Sequence, residues 1–164
     1  MSTVIRPSSS LFGEQDLHLF NEGTHRRAYR AFGAHPVVHD GVAGVAFALW
    51  APNAAEVSVV GDFNDWTVGR HPLTARGATG VWEAFVPGVG HGQKYKFHLL
   101  SKELGYAVFK TDPYGRYFES APDTASIVWD LAYDWGDASW RSHQKSRASS
   151  SDPKSALIVA MPLE

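Results

Sequence analysis

The feature that most constrains this fold is a segment near the middle of the chain in which apolar and polar residues alternate. Between Gln93 and Leu100, the residues Tyr95, Phe97 and Leu99 are separated by a lysine and a histidine, and a further lysine precedes them. A period of two sends successive side chains to opposite faces of an extended backbone. The segment is therefore predicted to be a β-strand with one face on a hydrophobic core.

Five other short segments have strand-like composition and are bounded by glycine, proline, asparagine or aspartate. They are Val42–Trp50, Glu56–Val60, Val81–Val86, Gly105–Lys110 and Ser126–Trp129. A turn is predicted at Asp112-Pro113-Tyr114, and a long irregular connection is predicted at Thr67–Gly80. Six short strands separated by turn signals indicate a monomeric, mainly β protein with the architecture of an antiparallel β-sandwich.

Helix-type patterns are confined to the residues before this β-rich region. Asp16–Phe20 is predicted to be a helical turn, and a second helix is predicted to begin at Asn21 or Thr24, run to Phe32 and end at Gly33. The predicted organisation has four parts: a disordered terminus at 1–15, a helical segment at 16–36 that packs on or before the sandwich, the sandwich itself at 37–141, and a linker with a truncated or non-native tail at 142–164.

The composition excludes several classes of function. The 164 residues carry a formal net charge of −2 without a basic block, so they lack the electrostatic footprint of a nucleic-acid or anionic-membrane binder. There is no cysteine for disulfides or thiol chemistry, and no apolar run reaches the ~18 residues that a membrane helix requires. The first ten residues lack the apolar stretch of a secretory signal. A cytoplasmic location is predicted, with neither nucleic acid nor membrane as a partner.

The stretch Val57–Trp66, VSVVGDFNDW, carries the candidate functional site. It begins as an apolar strand, passes through Gly61 into a polar turn and ends on a tryptophan. Gly61 can adopt a positive φ at the turn, and the Asp and Asn side chains can hydrogen-bond their own backbone. A tryptophan at the tip of a polar loop either offers a flat apolar face to a ligand or folds back as a lid on the core. The chain holds six tryptophans, more than a core of this size normally needs.

The residues of this sequence give little support to a catalytic or metal-binding role. Glycosyl transfer with retention needs two carboxyl groups roughly 5 Å apart, and the only close pair in an accessible loop, Asp62 and Asp65, occupies turn-forming positions. His35 and His39 are four residues apart, but Pro36 argues against a helix that would bring them together. Neither a P-loop nor a nucleophile-elbow motif occurs in the sequence. No catalytic residue, metal or cofactor is predicted.

Five long blocks, at 19–36, 47–66, 80–97, 111–119 and 125–130, resemble the N-terminal part of bacterial glycogen branching enzymes and follow the same order. In that family the region is a β-sandwich called carbohydrate-binding module family 48. The same module occurs in debranching enzymes and in the glycogen-binding β-subunit of AMP-activated kinase. The resemblance implies an immunoglobulin-like sandwich, and the block EGTHRRAYRAFGAHP at 22–36 points to branching enzymes within the group.

The resemblance ends after a serine-rich linker. Branching enzymes of the glycoside hydrolase family 13 type continue into a catalytic (β/α)₈ barrel, whereas this chain reads SALIVAMPLE at 155–164. The resemblance thus implies a non-catalytic module that docks α-1,4/α-1,6-glucan, as glycogen or maltooligosaccharides, and packs on its own barrel in glycogen biosynthesis. One alternative is a purely structural domain that supports the barrel without binding glucan. The others are that this chain itself turns over glucan, or that it has a regulatory role like that of the kinase β-subunit.

Binding a glucose ring requires a flat aromatic group beneath its C–H face and hydrogen-bonding groups at its rim. The resemblance implicates Trp66 as the platform and Lys96 as a donor, and Asn64 adds a group that both donates and accepts. By residue type alone, Lys96 is also compatible with an ordinary solvated strand lysine. A second aromatic is expected near the next hairpin, where both Tyr106 and Phe109 stand.

Three further tryptophans are predicted to form an apolar patch. They are Trp129, Trp135 and Trp140, and they lie near the point where the chain would enter the barrel. Without that barrel, such a patch is expected to be exposed and to promote self-association.

Overall fold

The computed structural model of the chain describes residues 10–103, 105–131 and 136–149. The chain divides into two compact units, one ending at Asp130 and the other beginning at Leu131. The described part of the first unit holds nine strands in two antiparallel sheets, and two short helical segments precede them. The prediction of a mainly β, antiparallel sandwich is therefore confirmed.

The first sheet has four strands. They are β1 (Gly33–His39), β2 (Val42–Trp50), β4 (Thr74–Ala75) and β5 (Val81–Pro87), arranged in the order β1–β2–β5–β4. All neighbours are antiparallel. Strands β2 and β5 were predicted, whereas β4 lies within the stretch predicted to be irregular, because two residues are too few for a detectable alternation.

The second sheet is built around the alternating segment. Its strands are β3 (Ala54–Gly61), β6 (Lys94–Ser101), β7 (Ala107–Lys110), β8 (Tyr117–Phe118) and β9 (Ser126–Ile127). One side of β6 pairs with β3 along its length. The other side pairs first with β9 and then with β7, while β8 pairs with β9. The short strand β8 was not predicted.

The core lies between the two sheets and is lined by alternate residues of β2, β3, β5 and β6. Its most deeply buried members include Val45, Phe47, Val57, Val59, Tyr95 and Phe97. Leu99 packs against this cluster, so the predicted inward face of β6 is confirmed. The Tyr95 hydroxyl on that face donates a 2.6 Å hydrogen bond to the buried Asp112 carboxylate. Burial raises the pKa of both groups.

A second hydrophobic cluster covers the outer face of the first sheet. Helix α1 (Glu14–Asn21) and the residues around it contribute three phenylalanines to the cluster. The ring of Phe32 lies 4.5 Å from that of Phe12 and 4.8 Å from that of Phe20. They pack over Ala48 and Val81, whose small or branched side chains point outward from the sheet. The outer face of this sheet is therefore covered around Ala48 and Val81.

The predicted second helix, from Asn21 or Thr24 to Phe32, is wrong. Only one 3₁₀ turn, Ala28–Arg30, forms in this stretch. Gly33 does not end a helix but begins β1, with a φ of +101°. A Cβ atom there would meet the Tyr114 carbonyl oxygen at 3.0 Å. Packing of the segment as an outer layer outweighs its moderate helix propensity, which is a weak determinant over so few residues.

Helices are not confined to the N-terminal end, so that prediction is also wrong. The second unit contains helix α2 (Ala138–Ser149), part of which was predicted to be linker. The segment lacks glycine and proline and is rich in helix-forming residues. Its first turn is supported by an Arg141–Asp137 ion pair at 2.8 Å. No helix in the described residues is both long enough and apolar enough to span a bilayer.

The three tryptophans predicted to form one patch have different surroundings. Trp129 is half-buried, stacks on Tyr117 at 4.5 Å and lies 4.3 Å from the His91 ring. Trp140 belongs to α2 and is 62% exposed. Trp135 falls outside the described residues. A common patch stays a prediction.

Candidate functional site

An open groove lies beside the turn that follows β3. It has a volume of about 490 Å³ and is lined by Asp62, Trp66, Lys94, Lys96, Glu119, Pro122, Asp123, Thr124 and Ala125. We call it the Trp66 groove. It brings together two of the predicted site residues, Trp66 and Lys96. Its walls come from the turn after β3, the outward side of β6 and the connection between β8 and β9.

The turn after β3 is held close to β6 by a glycine. A Cβ atom on Gly61 would clash with the Lys94 carbonyl oxygen and with the Phe63 ring. The φ of Gly61 is 177°, which is extended backbone, so Gly61 does not use the positive φ that is accessible to glycine. Glycine is needed here for close approach between the strands. The positive φ values belong instead to Asp65 and Trp66, at 53° and 56°.

Asn64 closes this turn from the inside. It is 1% exposed, and its Oδ1 accepts a hydrogen bond from the Gly61 backbone N–H at 2.9 Å. Its Nδ2 donates to the Val59 carbonyl oxygen and to Nδ1 of His71, at 3.0 and 2.9 Å. The placement of Asn64 at a sugar rim is therefore corrected, because all of its hydrogen-bonding groups are used within the fold. Burial lowers the pKa of His71, as expected for an imidazole that accepts a hydrogen bond.

Trp66 stands at the mouth of the groove with 39% of its surface exposed. Its backbone N–H donates to the Gly61 carbonyl oxygen at 3.0 Å. Its indole Nε1–H donates to the Asp62 carboxylate at 3.2 Å, and the other oxygen of that carboxylate accepts from the Lys94 backbone N–H at 3.0 Å. The indole is therefore restrained in orientation while part of its surface stays accessible.

The rim of the groove is polar. The Lys96 ammonium donates to the Thr124 hydroxyl at 2.7 Å, and the Lys94 ammonium pairs with Glu119 at 2.6 Å. The hydrogen bond between Lys94 and Glu119 lowers the pKa of the carboxyl and raises that of the amine. The rim thus presents donors and acceptors beside an aromatic surface, which is the combination that a sugar ring requires.

The two candidates for a second aromatic occupy different places. Phe109 of β7 is paired in register with His98, two residues from Lys96 on the same outward face of the sheet. Its ring lies 5.1 Å from that of His98, and 54% of its surface is exposed. Tyr106 lines a separate groove with Trp50. The structure thus brings Phe109, and not Tyr106, to the face that carries Lys96.

The carboxylates of the turn have structural roles. Asp62 accepts two hydrogen bonds, as described above, and Asp65 lies 3.7 Å from Arg70 in an exposed ion pair. In the part of the chain that the structure describes, no group of three or more potential metal ligands occurs. The wall formed by Glu119–Ala125 was not predicted, because these residues form the connection between β8 and β9 and reach β6 only through long-range strand pairing.

Comparison with known proteins gives this site its context. The family model described as carbohydrate-binding module 48 (isoamylase N-terminal domain) matches residues 31–115, more than half of the chain. This match includes Gly61, Trp66, Lys96 and Phe109, but only one side of the Trp66 groove.

Curated relatives are named 1,4-alpha-glucan branching enzyme GlgB. The chain is 50% identical to the Paramagnetospirillum magneticum protein over 138 residues, covering 84% of this chain and 19% of that one. It is 47% identical to the Streptomyces coelicolor protein GlgB 1 over 150 residues, covering 92% and 19%. The chain thus spans about a fifth of the length of the curated relatives that it matches.

Among solved structures, a pullulanase from Bacillus acidopullulyticus aligns with 61% of this chain and 12% of its own length. The identity is 20% and the TM-score is 0.49, a similarity that does not by itself define a common fold. The family match and the branching-enzyme relatives confirm the resemblance found in the sequence. The chain belongs to the carbohydrate-binding module 48 family.

Proposed function

We propose that this chain is the α-glucan-binding module of a 1,4-α-glucan branching enzyme, and that it binds glycogen or maltooligosaccharides in the Trp66 groove. The observation that carries the proposal is the meeting of Trp66 and Lys96 in one open groove. The family match and the names of the relatives support the same ligand class. In the whole enzyme the module would also pack on a catalytic barrel and serve glycogen biosynthesis in the cytoplasm.

In this proposal Trp66 is the platform and Lys96 is a donor at the rim. Phe109 is the second aromatic, because it shares the outward face with Lys96. Asn64 acts as a positioning residue: it holds the turn and makes no contact with sugar. The module itself has no catalytic role, so incubating it with amylose should leave the iodine colour unchanged.

The expected affinity is low. Stacking one glucose ring on an indole removes on the order of 100 Å² of apolar surface from water, worth roughly 2–3 kcal/mol. A few rim hydrogen bonds add about 1 kcal/mol each, and association entropy opposes binding by several kcal/mol. A maltooligosaccharide should therefore bind with a Kd of about 0.1–10 mM. Glycogen should be retained more strongly, because it presents many chain ends together.

Affinity electrophoresis in gels with and without glycogen tests the proposal. Trp66→Ala should lose most of the retardation by glycogen with little change in melting temperature. The control is Trp140→Ala, which removes another exposed tryptophan and should leave retardation unchanged. Unchanged retardation of Trp66→Ala, together with a melting temperature lowered by many degrees, would show that Trp66 is a lid on the core. A wild-type module that is not retarded at all would favour the alternative of a purely structural domain.

A further inference from the structure

A second cavity lies within the residues that precede the sandwich and shares no residue with the Trp66 groove. Its volume is about 590 Å³, and its lining consists of Leu11, Asp16, Leu19, Thr24, His25, Arg26, Arg27, Arg30 and Ala31. We call it the arginine cavity. The lining holds three arginines and one carboxylate, so the cavity is positively charged in a chain whose formal net charge is −2.

The local backbone places two of these arginines together. Arg27 precedes the 3₁₀ turn Ala28–Arg30, and the Arg30 N–H donates to the Arg27 carbonyl oxygen at 2.9 Å. Arg27 and Arg30 are therefore near neighbours, and both line the cavity despite the repulsion between their charges.

No described residue neutralises these charges. The only carboxylate in the lining, Asp16, accepts hydrogen bonds from the His25 ring and the Gly13 backbone N–H, both at 3.0 Å. The guanidinium groups of all three cavity arginines make no hydrogen bond or ion pair with the residues that the structure describes.

Four arginines elsewhere whose side chains the structure describes behave differently. Arg70, Arg76, Arg116 and Arg141 each bind a carboxylate, a histidine ring or a backbone carbonyl. The cavity arginines thus differ from these four, because their guanidinium groups have no partner among the described residues. Arginine side chains bind phosphate through two parallel N–H···O bonds, which lysine cannot make.

We infer that the arginine cavity binds a phosphate monoester, with Arg27 and Arg30 gripping the phosphate and the apolar residues Leu11, Leu19 and Ala31 facing the organic part. A concave site favours a phosphate on a small group or a chain end over a flat acidic protein surface. The phosphate could belong to a free sugar phosphate or to an ester on a glucan. This inference goes beyond the proposed glucan binding and does not depend on the Trp66 groove.

Isothermal titration with inorganic phosphate, a hexose monophosphate and the neutral hexose tests the inference on the whole chain. Saturable binding is expected for the two phosphate compounds and none for the neutral hexose. Affinity should fall as salt is raised from about 50 to 200 mM, because the contact is between charges. The double variant Arg27→Gln/Arg30→Gln should lose at least tenfold in affinity. Arg27→Lys/Arg30→Lys keeps the charge but should also weaken binding, since it lacks the guanidinium fork.

The matched control is Arg141→Gln, which removes one exposed arginine from the second unit and should bind phosphate as the wild type does. An equal loss in Arg141→Gln, equal binding of the neutral hexose, or no saturable binding by any phosphate compound would overturn the inference. Trp66→Ala should lose glycogen and keep the hexose monophosphate, so failure of one proposal is distinguishable from failure of the other.

A second pair of ligands distinguishes a free sugar phosphate from a phosphate ester on a glucan. Gels are prepared with a glucan bearing phosphate esters and with the same glucan after phosphatase treatment. If the ester on the glucan is the ligand, the Arg27→Gln/Arg30→Gln variant loses only the extra retardation that the phosphorylated glucan causes. If the ligand is a free sugar phosphate, the two glucans retard the wild type equally, and the hexose monophosphate still binds in the titration.

Discussion

On the outer face of the first sheet, Phe12, Phe20 and Phe32 pack over Ala48 and Val81, whereas the outer face of the second sheet carries Lys94, Lys96 and His98 beside an open groove. The two faces belong to strands of similar length in one sandwich. The residues that point outward differ: Ala48 and Val81 of the first sheet are apolar and buried, whereas Lys94, Lys96 and His98 of β6 are charged or polar. The outer face of the first sheet is thus suited to packing against another part of the same chain, and that of the second sheet is suited to a polar ligand.

The largest expected effect concerns the covered face. Phe32→Ala should destabilise the fold by about 3–5 kcal/mol, because it opens a cavity among tightly packed rings. Phe32 is 1% exposed and also stacks on Tyr114 at 5.0 Å. Thermal melting should show a decrease of roughly 10 °C or more. The control Tyr29→Ala removes a 57% exposed ring from the same segment and should melt nearly as the wild type does. Equal melting of Phe32→Ala and the control would mean that this layer is not part of the folded unit.

Replacing Asn64, which supports the Trp66 groove from inside, should lower both the stability of the fold and the affinity for glucan. Asn64→Ala leaves the buried Gly61 N–H without its acceptor, which should cost about 1–3 kcal/mol. It should also weaken glucan binding, because the turn that orients Trp66 loses its tie to β3. Denaturant unfolding and glycogen retardation measure the two effects, with the exposed Asn53→Ala as a control. Full binding by Asn64→Ala at a temperature where it is folded would contradict the positioning role.

Acidification should destabilise the fold through two buried histidines. Burial lowers the pKa of both His35 and His71 from the ordinary value of 6.5. Lowered folded-state pKa values favour neutral rings, so the stability that these residues contribute is present above about pH 6.5 and is lost as pH falls below it. The melting temperature should therefore decrease between about pH 7.5 and 5.5.

Histidine variants show whether the loss of stability on acidification comes from these two residues or from other groups. His35→Gln and His71→Gln should each flatten the pH dependence, while His18→Gln, at an exposed position, should not. The raised pKa of Asp112 acts with the opposite sign, since its protonation relieves a buried charge at low pH. If the melting temperature of the wild type and of both buried-histidine variants depends on pH in the same way, His35 and His71 are not the cause of the acid destabilisation.

The smallest effect is expected at the groove rim. Lys96→Ala should weaken maltooligosaccharide binding by roughly fivefold, the equivalent of about 1 kcal/mol for one hydrogen bond. Stability should hardly change, because the bond from Lys96 to Thr124 is exposed. Titration calorimetry provides the measurement, with Lys102→Ala as the control for loss of one lysine. If Lys102→Ala weakens binding more than Lys96→Ala does, the ligand does not bind in the Trp66 groove.

The comparison of the two faces also shows what could be predicted from the sequence. The inward face of β6 followed directly from alternation, and the family resemblance followed from long blocks of matching residues. The covering of the first sheet was not predicted in detail, since β2 is apolar on both faces and its neighbour Gly33 resembled a helix end. Nothing local distinguishes a glycine that ends a helix from one that begins a strand against Tyr114.

The site was predictable only in part for a related reason. Trp66 was found because a turn motif ends on an aromatic residue, and Lys96 through strand alternation and the resemblance. Asn64 was misplaced, because a polar residue in a polar turn gives no sign that its side chain points inward. The Thr124 side of the groove depends on the pairing of β6 with β9, which brings together residues about thirty positions apart. Such long-range pairing has no signal within a single segment.

The central claim is that Trp66 is a sugar platform, and titration of the module with a maltooligosaccharide, followed by NMR of the tryptophan indole N–H signals, tests it most directly. Assignment comes from the signal that Trp66→Ala lacks. If Trp66 is the platform, this signal should shift progressively and saturate with a Kd of about 0.1–10 mM, while the other indole signals move little. A Trp66 signal that stays fixed while another tryptophan responds, or six signals that all stay fixed at saturating sugar, would show that Trp66 is not the platform.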